Sequence, residues 1–293
     1  MATKLGDMAD DRAPPPTTVM VIGVVNVTPD SFSDGGRYFD LEAAVAHGLQ
    51  LLRDGADILD VGGEATNPWA RPVDQGEELR RVLPVVERLA AAGATVSIDT
   101  TKANVARAAV AAGARIINDV SGGLFDPVMR EVIGDATYIA GHLRGRSIAE
   151  VFAREPPAAL DGQAGVRGAP RQLDWRTVAD ELAERLASLP AGARSRAWVD
   201  PGLGFGKGAD PDTNLTLLRH CGDLGARLGR QVVVGASRKR FLRRAFSVPD
   251  DDIAALDAAS VTASLDAIRA GANVVRVHNV ALLRAALALY TKQ

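Results

Sequence analysis

The strongest constraint on this chain is an eightfold alternation. Short apolar runs, many of them β-branched, fall at residues 19–25, 57–61, 95–98, 115–118, 137–140, 197–199, 231–235 and 274–277. Between and after them lie stretches of helical spacing at 41–54, 75–92, 102–112, 127–133, 175–189, 211–228, 253–270 and 280–290. The apolar runs are continuous, as expected for parallel strands covered on both faces. Helical stretches stop at Gly55, Gly93, Gly113, Gly229 and Gly271, and glycine tolerates the left-handed backbone at a helix end. Four of these glycines begin a Gly-Ala pair that leads into the next strand. Eight strand–helix units predict an α/β fold, a (β/α)8 TIM barrel formed as a single domain over 18–293. A doubly wound open sheet is the alternative. It would usually show a Gly-rich dinucleotide turn after its first strand, and Val25-Asn26-Val27-Thr28 is not one. Residues 144–171 break the rhythm with prolines, glycines and arginines, and read as a long irregular loop after the fifth strand.

Composition excludes several functions. With 34 basic and 36 acidic residues the formal net charge is −2, so no basic surface for nucleic acid or an acidic membrane is expected. The apolar run at 19–25 is too short to span a bilayer. Asp7, Asp10, Asp11 and three prolines at 14–16 do not make a signal peptide, and residues 1–17 read as a flexible tail. A cytoplasmic protein is expected. The single Cys221 permits neither an intrachain disulfide nor a cysteine zinc site, and His47, His142, His220 and His278 are scattered. Only five basic residues are lysines: Lys4, Lys102, Lys207, Lys239 and Lys292. A lysine kept in a Gly-rich or Ser-Arg stretch is therefore a candidate for a position that needs lysine.

Barrel active sites gather where the strands end. The first strand delivers Asn26 and the second leads into Gly62-Gly63-Glu64-Ala65-Thr66. The third and fourth deliver Asp99, Asn118 and Asp119. His142 follows the fifth, Asp200 the sixth, Ser237-Arg238-Lys239 the seventh, and Arg276 and His278 the eighth. Asp99, Asn118 and Asp200 offer acceptors and an amide suited to a flat heterocycle with several N–H groups, or alternatively to a polar network capping the core. Arg276 and His278 share one strand face and, with Asn26, suit a phosphate or pyrophosphate; a surface ion pair is the plainer option. Residues 202–208 fail as a nucleotide-triphosphate loop, because Pro201 stands where the first glycine should be and Gly208 follows the lysine. They read instead as a flexible loop bringing Phe205 and Lys207 over a ligand. Ser237 has no evident histidine partner in the sequence, which argues against a serine nucleophile.

These strand-end motifs, in this order, resemble dihydropteroate synthase. The matching pieces are residues 26–36, 60–64, 97–100, 117–119, 200–207, 237–239 and 276–278. The resemblance implies condensation of 6-hydroxymethyl-7,8-dihydropterin pyrophosphate with 4-aminobenzoate, releasing pyrophosphate and forming 7,8-dihydropteroate for folate synthesis. It implies Mg2+ on the pyrophosphate, with Asn26 as the metal's protein contact, and a homodimer. It assigns the pterin to Asp99, Asn118, Asp200 and Lys239, and the pyrophosphate to Asn26, Thr66, Arg276 and His278. Phe32, Phe205 and Ser237 would shape the aminobenzoate slot. Asp99, Asp200, Lys239 and Arg276 would carry catalysis. Three departures stand out. The second loop reads Ala65-Thr66-Asn67-Pro68-Trp69 where the family usually has Ser-Thr-Arg-Pro-Gly, and is similar to sulfonamide-insensitive forms; reduced sulfonamide sensitivity is expected. Gly141-His142-Leu143 replaces Met-His-Met, and Asn279 replaces an aspartate. A non-catalytic pterin-binding paralogue and a methyltetrahydrofolate:corrinoid methyltransferase are the competing functions. The latter needs no pyrophosphate clamp.

Overall fold

The computed structural model describes residues 18–28, 37–66, 72–153, 173–204, 206–207 and 211–290. Eight strands form one parallel sheet: β1 (Met20–Asn26), β2 (Ile58–Gly62), β3 (Val96–Asp99), β4 (Ile116–Asp119), β5 (Thr137–Gly141), β6 (Trp198–Asp200), β7 (Val233–Val234) and β8 (Val274–Val277). The order is β6-β5-β4-β3-β2-β1-β8-β7. The two edges meet at a parallel bridge, Val199 to Val232, where Val199 N–H donates to Gln231 O at 3.0 Å. The sheet is therefore a barrel, and the open-sheet alternative fails.

Around it stand α1 (Arg37–Arg53), α2 (Gln75–Ala91), α3 (Ala103–Ala111), α4 (Met129–Val132), α5 (Ile148–Ala153), α6 (Trp175–Ala187), α7 (Ala191–Arg196), α8 (Pro211–Arg219), α9 (Cys221–Leu228), α10 (Arg240–Ala245), α11 (Ile253–Arg269) and α12 (Val280–Tyr290). The helix expected over 211–228 is two, α8 and α9, broken at His220. The segment expected to be an irregular loop over 144–171 contains the helical turn α5; its residues 154–171 lie outside the described residues, as does the tail at 1–17. Asp74 and Asp252 cap α2 and α11 by accepting from Glu77 N (3.0 Å) and Ala255 N (2.8 Å), satisfying backbone donors that a helix start leaves open. Among the described residues no helix is long and apolar enough to cross a membrane.

The interior of the barrel explains where the site lies. Ile22, Ile58, Ile116, Ile139, Val233 and Val274 form a separate buried cluster drawn from strands alone, with Met20 and Trp198 against it. Because strand side chains alternate, the next inward position on the same strands is two residues on. That step takes Ile58 to Asp60, Ile116 to Asn118, Trp198 to Asp200 and Val274 to Arg276. An apolar floor is thus overlaid by a polar layer. Strand pairing sets that layer side by side: Asn26 beside Gly62, Gly62 beside Asp99, Asp99 beside Asn118, and Gly141 beside Asp200. The larger core lies between the outer strand faces and the helices, with Val61, Val82, Val86 and Leu89 among its fully buried residues.

Candidate active site

Arg276 is the hub of the polar layer. Its Nε donates to Asp60 Oδ2 at 2.6 Å and its Nη2 to Asp99 Oδ2 at 2.7 Å. Asn118 Nδ2 donates to the same Asp60 oxygen at 2.9 Å. Asp60 is fully buried and belongs to a recognised motif, yet sequence reasoning gave it no role. Its one available signal was its place two residues after Ile58. Arg276 therefore lies among the carboxylates, while the Asn26 side chain stands exposed at the end of β1. Burial opposes the charge on Arg276, but Asp60 and Asp99 outweigh burial and raise its pKa further. Burial lifts Asp99 to about 7 even though Arg276 pulls the other way.

Across the mouth, Asp200 accepts from Gly202 N at 2.6 Å through Oδ1. Burial raises its pKa, against the pull of the Gly202 hydrogen bond and of Lys239 and Lys207. Lys239 is drawn down to about 7, chiefly by burial and then by the nearby Arg276 charge. Gly235 leaves space between Asp200 and Arg276: a Cβ there would stand 3.9 Å from atoms of both. Asp99, Asn118, Asp200, Lys239 and Arg276 thus converge on one mouth.

Ser237 does have a histidine partner. Its Oγ lies 2.9 Å from His278 Nδ1 and accepts from His278 N at 3.2 Å. Its own proton then points to Nδ1, which leaves the ring hydrogen on Nε2. His278 falls to about 3 through burial and then the Arg276 and Arg238 charges. It can therefore offer an anion a hydrogen bond but no charge at neutral pH. Such a depressed base suits positioning rather than activation of a serine nucleophile. Arg238, at a left-handed φ of 58°, is held by two hydrogen bonds to Asp257 at 2.8 and 3.0 Å. Asn279 donates to Asp257 at 3.2 Å and accepts from Leu282 N at 3.0 Å. An aspartate there would set a second carboxylate against Asp257, so the amide suits this site.

Two expectations need correction or qualification. Lys207 does not reach over a ligand. It is only 9% exposed and turns inward, donating to Gly202 O at 2.8 Å and His142 O at 3.0 Å. Close contact, rather than reach, explains the glycine at 202, where a Cβ would stand 3.1 Å from Lys207 Nζ. His142 follows β5 but faces α6, with Nε2 3.0 Å from Glu181. Thr66 lines a small cleft with Glu64, Glu78, Asp99, Thr100 and Val120. Glu64 accepts from Val73 N at 3.1 Å, tying the two described ends of the second loop. Lys102 pairs with both Glu64 and Glu78 at the loop's base. Phe32, Phe205 and the second-loop residues Asn67, Pro68 and Trp69 lie outside the described residues. No cluster of three or more His, Cys, Asp or Glu suited to a metal occurs among the described residues.

The family description "Pterin binding enzyme" matches residues 22–278. The dihydropteroate synthase of Mycobacterium leprae is 46% identical over 268 residues, covering 89% of each chain. The chain belongs to the dihydropteroate synthase family. The solved dihydropteroate synthase of Xanthomonas albilineans with 4-aminobenzoic acid superposes with a TM-score of 0.77 at 40% identity, covering 94% of this chain and 93% of that one. The Yersinia pestis dihydropteroate synthase, solved with a sulfonamide drug complex, gives 0.75 at 31% identity and 94% of each chain. As a dihydropteroate synthase family member, the chain is a transferase of folate biosynthesis built on the pterin-binding barrel.

Proposed function

We infer that this chain joins 6-hydroxymethyl-7,8-dihydropterin pyrophosphate to 4-aminobenzoate, giving 7,8-dihydropteroate and pyrophosphate. The observation that carries this reading is the polar layer in which Asp99, Asn118 and Asp200 face Arg276 and Lys239 over an apolar floor. A planar pterin suits that set: carboxylates accept from its N–H groups, and Lys239 donates to a ring acceptor. The C–O bond to pyrophosphate breaks with its electron pair leaving on oxygen. Asp200 stabilises the positive charge that grows on the pterin methylene. Arg276 and the Nε2–H of His278 stabilise the departing anion, with Thr66 at the same end. Each group acts where charge develops, so it lowers the barrier instead of only tightening binding. The neutral amine of 4-aminobenzoate then attacks the carbon and loses a proton. Phe32, Phe205 and Ser237 would shape its slot.

Mg2+ fits the donor chemistry of the site. It favours hard oxygen ligands and commonly takes one or two protein oxygens together with substrate phosphates. An exposed Asn26 amide at the strand end suits that demand, and a dedicated acidic cage is not required. When bound, Mg2+ would offset charge on the pyrophosphate.

The test is pyrophosphate release by purified protein with dihydropterin pyrophosphate and Mg2+, with and without 4-aminobenzoate. Aminobenzoate-dependent release is expected; pterin binding without it would favour the non-catalytic paralogue. The Asn67-Pro68-Trp69 substitution in the second loop supports reduced sulfonamide sensitivity. In the same assay, sulfamethoxazole at concentrations that stop a sensitive synthase should leave turnover largely intact. A cytoplasmic homodimer completes this reading, and sedimentation of the purified protein tests the dimer.

A further inference from the structure

Lys207 is a buried cation that the proposed chemistry does not use. Among the described residues its ammonium meets Gly202 O at 2.8 Å, His142 O at 3.0 Å and His142 Nδ1 at 3.2 Å. The ring nitrogen qualifies as an acceptor because Nε2 faces the Glu181 carboxylate at 3.0 Å and so carries the ring hydrogen. Acceptors gathered this closely suit the compact, rotatable donors of an ammonium better than the fixed fork of a guanidinium. The backbone is fitted equally closely. Gly202 has φ 68°, and a Cβ on it would stand 2.0 Å from His142 O and 3.1 Å from Lys207 Nζ.

The Gly202 residue links this lysine to the pterin site. Its carbonyl accepts from Lys207, while its N–H donates to Asp200 Oδ1 at 2.6 Å. The strand-five end is braced on the other side. His142 N donates to Asp200 O at 2.9 Å, and the buried Arg185 from α6 donates to Gly141 O and Leu143 O. The carbonyls of residues 141, 142 and 143 are thus all held by buried cations.

We propose that Lys207 is a positioning residue for the transfer reaction: by holding the Gly202 carbonyl and the strand-five end, it sets the Asp200 carboxylate that receives the pterin. The proposal rests on the role inferred for Asp200 above. Hydrogen bonds from a charged donor are about twice as strong as neutral ones, which favours a fixed turn over a mobile loop.

The test is a double-mutant cycle. Lys207→Met and Lys207→Gln are made alone and together with Asp200→Asn, and affinity for dihydropterin pyrophosphate is measured by calorimetry without 4-aminobenzoate. Lys207→Met is expected to weaken pterin binding about tenfold, the worth of a lost charged hydrogen bond. The same change in the Asp200→Asn background is expected to have almost no further effect. The KM for 4-aminobenzoate should stay near the wild-type value. If the methionine variant does not fold, the glutamine variant, which retains a donor, carries the same comparison. Equal losses in both backgrounds, or no loss in the wild-type background, would overturn the proposal. Full pterin affinity in Asp200→Asn alone would refute the role of Asp200, and with it the route proposed for Lys207. Loss in Asp200→Asn with none in Lys207→Met would refute Lys207 alone.

Discussion

Arg276 and Lys207 are cations at the mouth of the barrel, the first half-buried and the second buried, yet their surroundings push them in opposite directions. Arg276, on β8, faces the carboxylates of Asp60 and Asp99, and its pKa rises. Lys207, after β6, faces carbonyl oxygens and a neutral imidazole. Burial lowers it to about 7 despite the more distant Asp200 charge. His142 is driven to about 3 by burial and then by Lys207 itself, so it stays neutral. The difference is one of currency: charge neutralises charge on one side, while on the other, dipoles only partly replace lost water. Arg276 thus arrives with two anions already attached, and a third anion must compete for it. The field of Lys207 reaches Asp200 and opposes the rise in its pKa.

The largest test of this contrast is Arg276→Ala. It should lower turnover by about a hundred- to a thousandfold, the cost of removing one preorganised stabiliser of developing charge. It should also destabilise the barrel by about 3–5 kcal/mol, because Asp60 and Asp99 lose their shared cation. A conserved melting temperature with lost turnover would show that these carboxylates do not depend on Arg276. Gly202→Ala comes next. It places a Cβ against the His142 carbonyl and forces alanine to a φ of 68°, so its cost should exceed the about 1–2 kcal/mol of a left-handed backbone alone. Gly93→Ala is the control, since its φ is 85° but nothing lies within 4 Å of the added carbon. Equal melting shifts in the two variants would mean that the Gly202 turn yields easily.

The smallest expected effect is a pH trend. Below pH 7, Lys207 carries its proton both folded and unfolded, and the burial cost stands in full. Between about 7 and its ordinary value of 10.5 the unfolded chain holds that proton and the folded chain releases it. The unfolded state then binds more protons, so stability rises with pH in that window. The melting temperature of the wild type relative to Lys207→Met should therefore climb from pH 7 to 10 and then level. A flat difference would show that its acceptors hold the ammonium fully charged. For Arg276, whose pKa is raised, no such trend is expected over this range.

Much of this architecture was legible before the structure. Each strand lies within two residues of its predicted bounds, because continuous apolar runs between helix-stopping glycines admit few other folds. Helix boundaries were less secure. The break at His220 and the short helices α5, α7 and α10 carry too few residues to show a period. Within the site, Asp99, Asn118, Asp200 and Arg276 were found from their place at strand ends. Asp60 was overlooked because it sits inside an apolar run, and Lys207 was misread because glycine flanks it.

The order of strands and helices, the polar strand ends and the family motifs were determined by sequence alone, since they depend on local spacing and residue type. Which charge meets which was decided by tertiary structure. Arg276 and Asp60 are 216 positions apart, and Lys207 and His142 are 65 apart. Only closure of the barrel at Val199 and Val232 completes the ring that carries these groups. Local pattern sets what each strand presents. The register of eight strands, and the water excluded between them, sets whether a cation there meets a carboxylate or a carbonyl, and so how its proton is held.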